Sequence, residues 1–126
     1  MLNDYIINKA RSIAFKSKVE KAKVSTLILH GTDILTASCN ASLYGHPSKL
    51  TIHAEEWAIL KAGRLNLFNR YKYLSLFVAR FGAMGEPRIS KPCDACSRLI
   101  VMCSNIKEMH YFDKDGNIVS IGVERG

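Results

Sequence analysis

Residues 51–63 read TIHAEEWAILKAG, and residues 91–100 read KPCDACSRLI. The first stretch sets His53 two places before Glu55 at the start of an apolar helix over 53–65. Its apolar residues Ala54, Trp57, Ala58, Ile59, Leu60 and Ala62 cover most of the circumference. A helix of that kind is buried on more than one side, here against a sheet and a neighbouring subunit. The second stretch opens another helix over 93–104, with Pro92 suited to the first helical position, where its missing N–H costs nothing. Each helix follows a strand or loop unit, and this alternation points to an α/β fold.

Moving outward, residues 3–17 (NDYIINKARSIAFKS) read as an amphipathic helix capped by Asn3 or Asp4. Leu2, Ile6, Ala10, Ile13 and Ala14 form its apolar stripe. Two β-rich runs, 24–30 and 34–39, flank His30-Gly31-Thr32-Asp33 and predict a hairpin. Residues 41–52 carry Gly45 and Pro47 and read as a loop. YKYLSLFVAR (71–80) is an apolar strand, and FGAMGEPRISK (81–91) is a loop. IKEMHYF (106–112) and NIVSIGV (117–123) are the last strands, joined by the turn DKDGN. The order is α-β-β-α-β-α-β-β, with parallel pairing and right-handed crossovers in the middle. Residues 1–126 read as one domain.

The chain of 126 residues is 48% hydrophobic, enough for a core and against intrinsic disorder. No apolar run approaches the 18 residues a membrane span needs. The N-terminus lacks the residue order of a signal peptide, so the protein reads as soluble and cytoplasmic. In that compartment Cys-x-x-Cys is more often metal-binding or redox-active than a structural disulfide. The formal net charge is +7, part of it in KSKVEKAKV (16–24). This balance favours anionic partners such as nucleotides or nucleic acid, although a basic stretch after a helix is also an ordinary solvated loop.

Cys93 and Cys96 are three apart, which on a helix places them on one face with Cβ atoms about 5–6 Å apart. Two thiolates on a zinc at about 2.3 Å need sulfurs roughly 3.8 Å apart, so the spacing fits. The free N–H groups of that helix end favour thiolates. Cys39 and Cys103 do not form a second close pair and read as core. His53, at the equivalent helix start one unit earlier, supplies a third ligand. Three protein ligands and an open position are the catalytic rather than the structural zinc arrangement. Glu55, in the first turn, can reach the same site and move a proton. A first-turn glutamate can also merely complement the helix dipole, a role that suits Glu56 better.

His53-Ala54-Glu55 with Pro92-Cys93-Asp94-Ala95-Cys96 resembles the signature of the cytidine deaminase superfamily, H-x-E with P-C-x-x-C. The resemblance in element order covers roughly residues 3–123. It implies a three-layer α/β fold: a five-stranded mixed sheet with the two motif helices on one face. It implies Zn2+ held by His53, Cys93 and Cys96, with Glu55 as proton shuttle. Zinc-activated water would attack C4 of cytosine, or C6 of adenine, and ammonia would leave. Backbone groups near Ala54 and Lys91 would hold the base edge.

The turn DKDGN is too short for a crossover helix, so the last two strands are antiparallel. That is similar to the free cytidine deaminases and unlike the tRNA adenosine or deoxycytidylate deaminases. SCNASLYG followed by HAEEWAILKAG is also similar to the free-cytidine pattern, which puts Asn40 against the ribose. Two positions depart from it: Ser42 stands where a glutamate grips the sugar, and Ser97-Arg98 where Arg-Gln is usual. His46, Lys49, Arg88 and Lys91 are candidates for binding a phosphate, and Tyr44 and Phe81 for stacking a base. The expected substrate is a free nucleoside or nucleotide, within pyrimidine metabolism, and the expected assembly a homo-oligomer. Single-stranded DNA or RNA is the alternative substrate. A non-catalytic zinc domain is the third reading, and Glu55 argues against it.

Overall fold

The computed structural model describes residues 2–17, 23–42 and 51–123. Helix α1 (Asp4–Ala14) precedes the hairpin β1 (Lys23–His30) and β2 (Asp33–Cys39). Short strands β3 (Ala41–Ser42) and β4 (Thr51–Ile52) lead into α2 (Ala54–Arg64) and α3 (Leu67–Arg70). Then come β5 (Leu74–Phe81), β6 (Pro87–Arg88), α4 (Asp94–Met102), β7 (Ile106–Phe112) and β8 (Ile118–Gly122).

Strands β1 and β5 are buried over most of their length because both of their faces are covered. Alternation along β5 sends Leu74, Leu76 and Val78 to one side, where Ala58 and Ala62 of α2 and Ile100 of α4 complete the core. Phe77, Ala79 and Phe81 go to the other side, against Ile6, Ala10 and Ala14 of α1. The architecture is therefore three layers, with the two motif helices together on one face, as expected. Strand order is β2-β1-β5-β7-β8. Only β5 and β7 pair in parallel, across the α4 crossover, and β7–β8 is antiparallel.

Three features go beyond the five expected strands. β6 adds a sixth, pairing Arg88 and Pro87 with Arg80 and Phe81. Strand β7 pairs with β5 only as far as Val78, so β6 takes up the backbone groups left over at that edge. The ends of the expected loop 41–52 pair as β3–β4. The single turn α3 follows α2 directly, after Asn66 in the left-handed region (φ 60°). One expected side-chain role is corrected: Phe81 is buried in the α1 half of the core, edge-on to Phe112, and cannot stack a substrate base. Helix α2 buries Ala54, Glu55, Ala58 and Ala62, leaves Trp57 half-buried and exposes Leu60, so its apolar surface is only partly covered.

Helix α1 is fixed at both ends. The Asn3 side chain accepts the Ile6 N–H at 2.9 Å, a normal N-cap. Arg11 Nε donates to Gly85 O at 2.9 Å, and its guanidinium lies 5.1 Å from the Phe81 ring centre. Gly85 has φ +80°, and an added Cβ would come within 3.3 Å of Arg11 Cδ, so the turn before β6 needs glycine there.

Buried His110 on β7 has Nδ1 2.7 Å from Ser120 Oγ and Nε2 3.8 Å from Glu108 Oε2. Burial holds its pKa below the ordinary histidine value, and Glu108 opposes the shift only in part. The folded state thus favours the neutral ring, whereas the unfolded chain protonates it near pH 6.5. The sign follows: the contribution is fully present above about pH 6.5 and is lost as pH falls through that value toward the folded pKa. Urea unfolding at pH 7.5 and pH 5.5 should show the acid loss in the parent and a smaller loss in His110→Gln. An equal loss in both would remove His110 from the account.

Candidate active site

Two helix starts meet at the end of β5. His53 is the N-cap of α2 with extended backbone (φ −73°, ψ 150°), and Cys93 is the N-cap of α4 (φ −68°, ψ 168°). Their carbonyls accept the first helical N–H groups, from Trp57 at 3.2 Å and Ser97 at 2.8 Å. Glu56 turns back to accept the His53 N–H at 3.3 Å. Glu56 is therefore a cap that fixes the entry of α2, the structural role expected of it.

The approach to α4 is held by Ser90. Its buried hydroxyl donates to Val78 O at 2.7 Å and accepts the Phe112 N–H at 2.8 Å, tying the segment to β5 and β7. Buried Pro92 follows, then Cys93 and, one turn on, buried Cys96.

His53, Cys93 and Cys96 bring their ligand atoms within 4.8 Å of one another. His53 Nδ1 lies 3.2 Å from Cys96 Sγ and 3.7 Å from Cys93 Sγ. Edges of about this length are what a tetrahedral nitrogen–sulfur site requires. Burial pushes the Cys96 thiol pKa up, and the Glu55 carboxylate and Cys93 add to the push. Thiolate donors here need a compensating cation, and one nitrogen with two sulfurs is the donor set zinc prefers. The residues present fit zinc.

Glu55, 5% exposed, lies one residue past the histidine's neighbour and close enough to interact with Cys96. It borders a cleft of about 330 Å³ lined also by His53, Ala54, Cys93, Asn40 and Lys91. Asn40, Ala54 and Lys91 thus line one cavity with Glu55, of a size found for small-molecule sites. Asn40 is oriented by the backbone of β1: its N–H donates to Val24 O at 3.1 Å and its Oδ1 accepts the Val24 N–H at 3.2 Å.

Other expectations fare differently. Arg88 is exposed, 4.0 Å from Glu86, and does not line the cleft. The backbone of Ser42 is in β3, while Tyr44, His46 and Lys49 lie outside the described residues. Reading the motifs missed Val24, Val78, Arg80, Ile89 and Ser90, all of which line the cleft. For Arg80 the signal was available: the alternation that puts Leu74, Leu76 and Val78 under the motif helices puts Arg80 there too.

The model of the cytidine and deoxycytidylate deaminase zinc-binding region matches residues 2–113. No curated protein matches the sequence. Among solved structures, the apo dCMP deaminase of cyanophage S-TIM5 is similar with a TM-score of 0.66 at 19% identity, over 90% of this chain and 86% of that one. The same enzyme in complex with dCMP and dUMP gives 0.62 at 18% identity, over 85% and 80%. Cytidine deaminase from Burkholderia pseudomallei gives 0.66 at 16% identity, over 98% and 94%. At such identities these structures speak for the fold. Together with the His-Cys-Cys donor set, the match over most of the sequence leads to one conclusion: the chain belongs to the zinc-binding cytidine and deoxycytidylate deaminase family.

Proposed function

We propose that this protein hydrolytically deaminates cytosine in a free nucleoside or nucleotide, with His53, Cys93 and Cys96 holding Zn2+ and Glu55 carrying the proton. The observation that carries this reading is the buried carboxylate of Glu55, in a cleft lined by two of the three converging donors, His53 and Cys93. A purely structural metal site has no use for it.

When bound, zinc supplies the Lewis acidity that makes water nucleophilic near neutral pH. The chain's own residues do the rest. Glu55 takes a proton from the attacking water as the C4–O bond forms, and passes it to N3 of the ring. A second transfer through the same carboxylate protonates the amino group, the C4–N4 bond breaks, and ammonia and uracil result. Burial of Glu55 keeps bulk water from competing for that proton. Backbone groups at Ala54 and Lys91 hold the base edge, and Asn40, pinned by Val24, meets the sugar.

The cleft volume of about 330 Å³ suits a nucleoside-sized ligand. The antiparallel β7–β8 pair supports the free-cytidine branch. The cyanophage dCMP deaminase, solved in complex with dCMP and dUMP, makes a monophosphate a reasonable member of the same substrate class.

Elemental analysis should find about one zinc per chain, and the Cys93→Ser/Cys96→Ser double variant should lose it together with stability, since ligation couples to folding. Metal retained by that variant would overturn the ligand assignment. Glu55→Ala should keep zinc and fold yet lose roughly 10²–10⁴-fold in kcat, the size of a general acid–base contribution. Glu56→Ala should cost stability by about 0.5–2 kcal/mol, as a lost cap does, with turnover near the parent. The substrate class is tested by ammonia release from cytidine, deoxycytidine, their monophosphates, adenosine and a cytosine oligonucleotide. Turnover of the oligonucleotide alone would replace the free-substrate reading with a nucleic-acid one.

A further inference from the structure

The guanidinium of Arg80 lines the cleft, half-buried, and makes no hydrogen bond or ion pair among the described residues. A partly buried cation normally finds a partner in its own fold. Arg88, the strand partner of Arg80 on β6, is 4.0 Å from Glu86 and engaged with it. Among the described residues lining the cleft, Glu55 is the only carboxylate, and Lys91 is a second cation.

The position of Arg80 along the cleft follows from the sheet. Val24 of β1 is its backbone partner on one side. On the other side of β1, Asn40 is bonded to that same Val24. Asn40, just past the end of β2, thus stands in one row with Val24 of β1 and Arg80 of β5. His53, Glu55 and Cys93 come from the two helix starts. If the reacting carbon lies at Glu55 and the sugar at Asn40, a group carried by the sugar meets Arg80.

We infer that Arg80 is a specificity-determining residue that receives a phosphomonoester on the sugar of the cytosine nucleotide. This rests on the deaminase reading above and names the substrate class within it. Guanidinium and phosphate match in charge and in bidentate geometry, which lysine does not reproduce. Lys91 adds a second positive charge to the cleft wall. The chemistry is shared by 5′- and 3′-monophosphates, so both belong in the test.

Zinc-loaded protein is assayed for kcat/KM on cytidine, 5′-CMP, 3′-CMP and a cytosine oligonucleotide, in the parent, Arg80→Ala, Arg80→Lys and Arg88→Ala. Equilibrium binding of UMP and of uridine is measured on the same proteins, which reads Arg80 without turnover. The parent should prefer one monophosphate over cytidine, and Arg80→Ala should reduce that ratio tenfold or more, chiefly through KM. Arg80→Lys should recover part of it, and Arg88→Ala should leave it at the parent value. The advantage of UMP over uridine should fall in parallel. Turnover of cytidine with no phosphate preference overturns the inference and leaves the deaminase reading standing. An unchanged ratio in Arg80→Ala does the same. Use of the oligonucleotide in preference to both monophosphates also overturns it, and turnover of no cytosine compound removes both readings.

Discussion

Three donors that must be held within a few ångströms of one another are the constraint around which this chain is arranged. His53 Nδ1 and the sulfurs of Cys93 and Cys96 come from segments forty residues apart in sequence, yet lie within 4.8 Å. Two of the three stand at helix N-caps, where the backbone is extended and the side chain can leave the helix axis. A histidine and a glutamate two apart would diverge in a helix interior, but at the first turn both reach the space beyond the helix end. The cap position therefore explains how His53 and Glu55 serve one site.

Holding two caps together requires a rigid floor. β1 and β5, covered on both faces, provide it, and their shared core with α2 and α4 fixes the two helix starts relative to each other. Ser90 completes the clamp by joining the segment before Cys93 to both β5 and β7. Its hydroxyl acts as donor and acceptor in a buried setting, so each of its partners depends on it. Helix α1, on the far face, contributes through the sheet: it closes the second half of the core and braces the turn before β6 through Arg11 and Gly85.

The electrostatics of the cleft are lopsided in an informative way. One buried carboxylate, Glu55, lies beside the donors, and cations line the wall. Burial gives that carboxylate the low-dielectric, water-poor setting that the proton-carrying role proposed for it would need. Arg80 has no hydrogen bond or ion pair among the described residues, and the phosphate role proposed for it rests on that. Elsewhere buried His110 pairs with Ser120, whereas the buried hydroxyls of Thr26 and Ser38 have no hydrogen-bond partner among the described residues.

The local elements were legible in the sequence. The period of the apolar residues gave α1, α2 and α4, Asn3 capped the first of them, and Gly31 and Gly116 sit at positive φ in the two hairpin turns. Short-range stereochemistry fixes such features, so a window of residues suffices. The donor set was legible too, because His-x-Glu with Pro-Cys-x-x-Cys resembles a known zinc signature and the cysteine spacing suits one metal. What no window contains is which strand edge remains unpaired, and so β6 was read as loop. Nor does a window show that Phe81 turns into the core while Arg80, its neighbour, faces the cleft. Strand register decides those matters, since successive side chains on a strand point to opposite faces. Register is set only when β5 meets β1, β7 and the helices above them. The sequence thus determined which residues could bind a metal, and the tertiary structure alone decided which others line the cleft beside them.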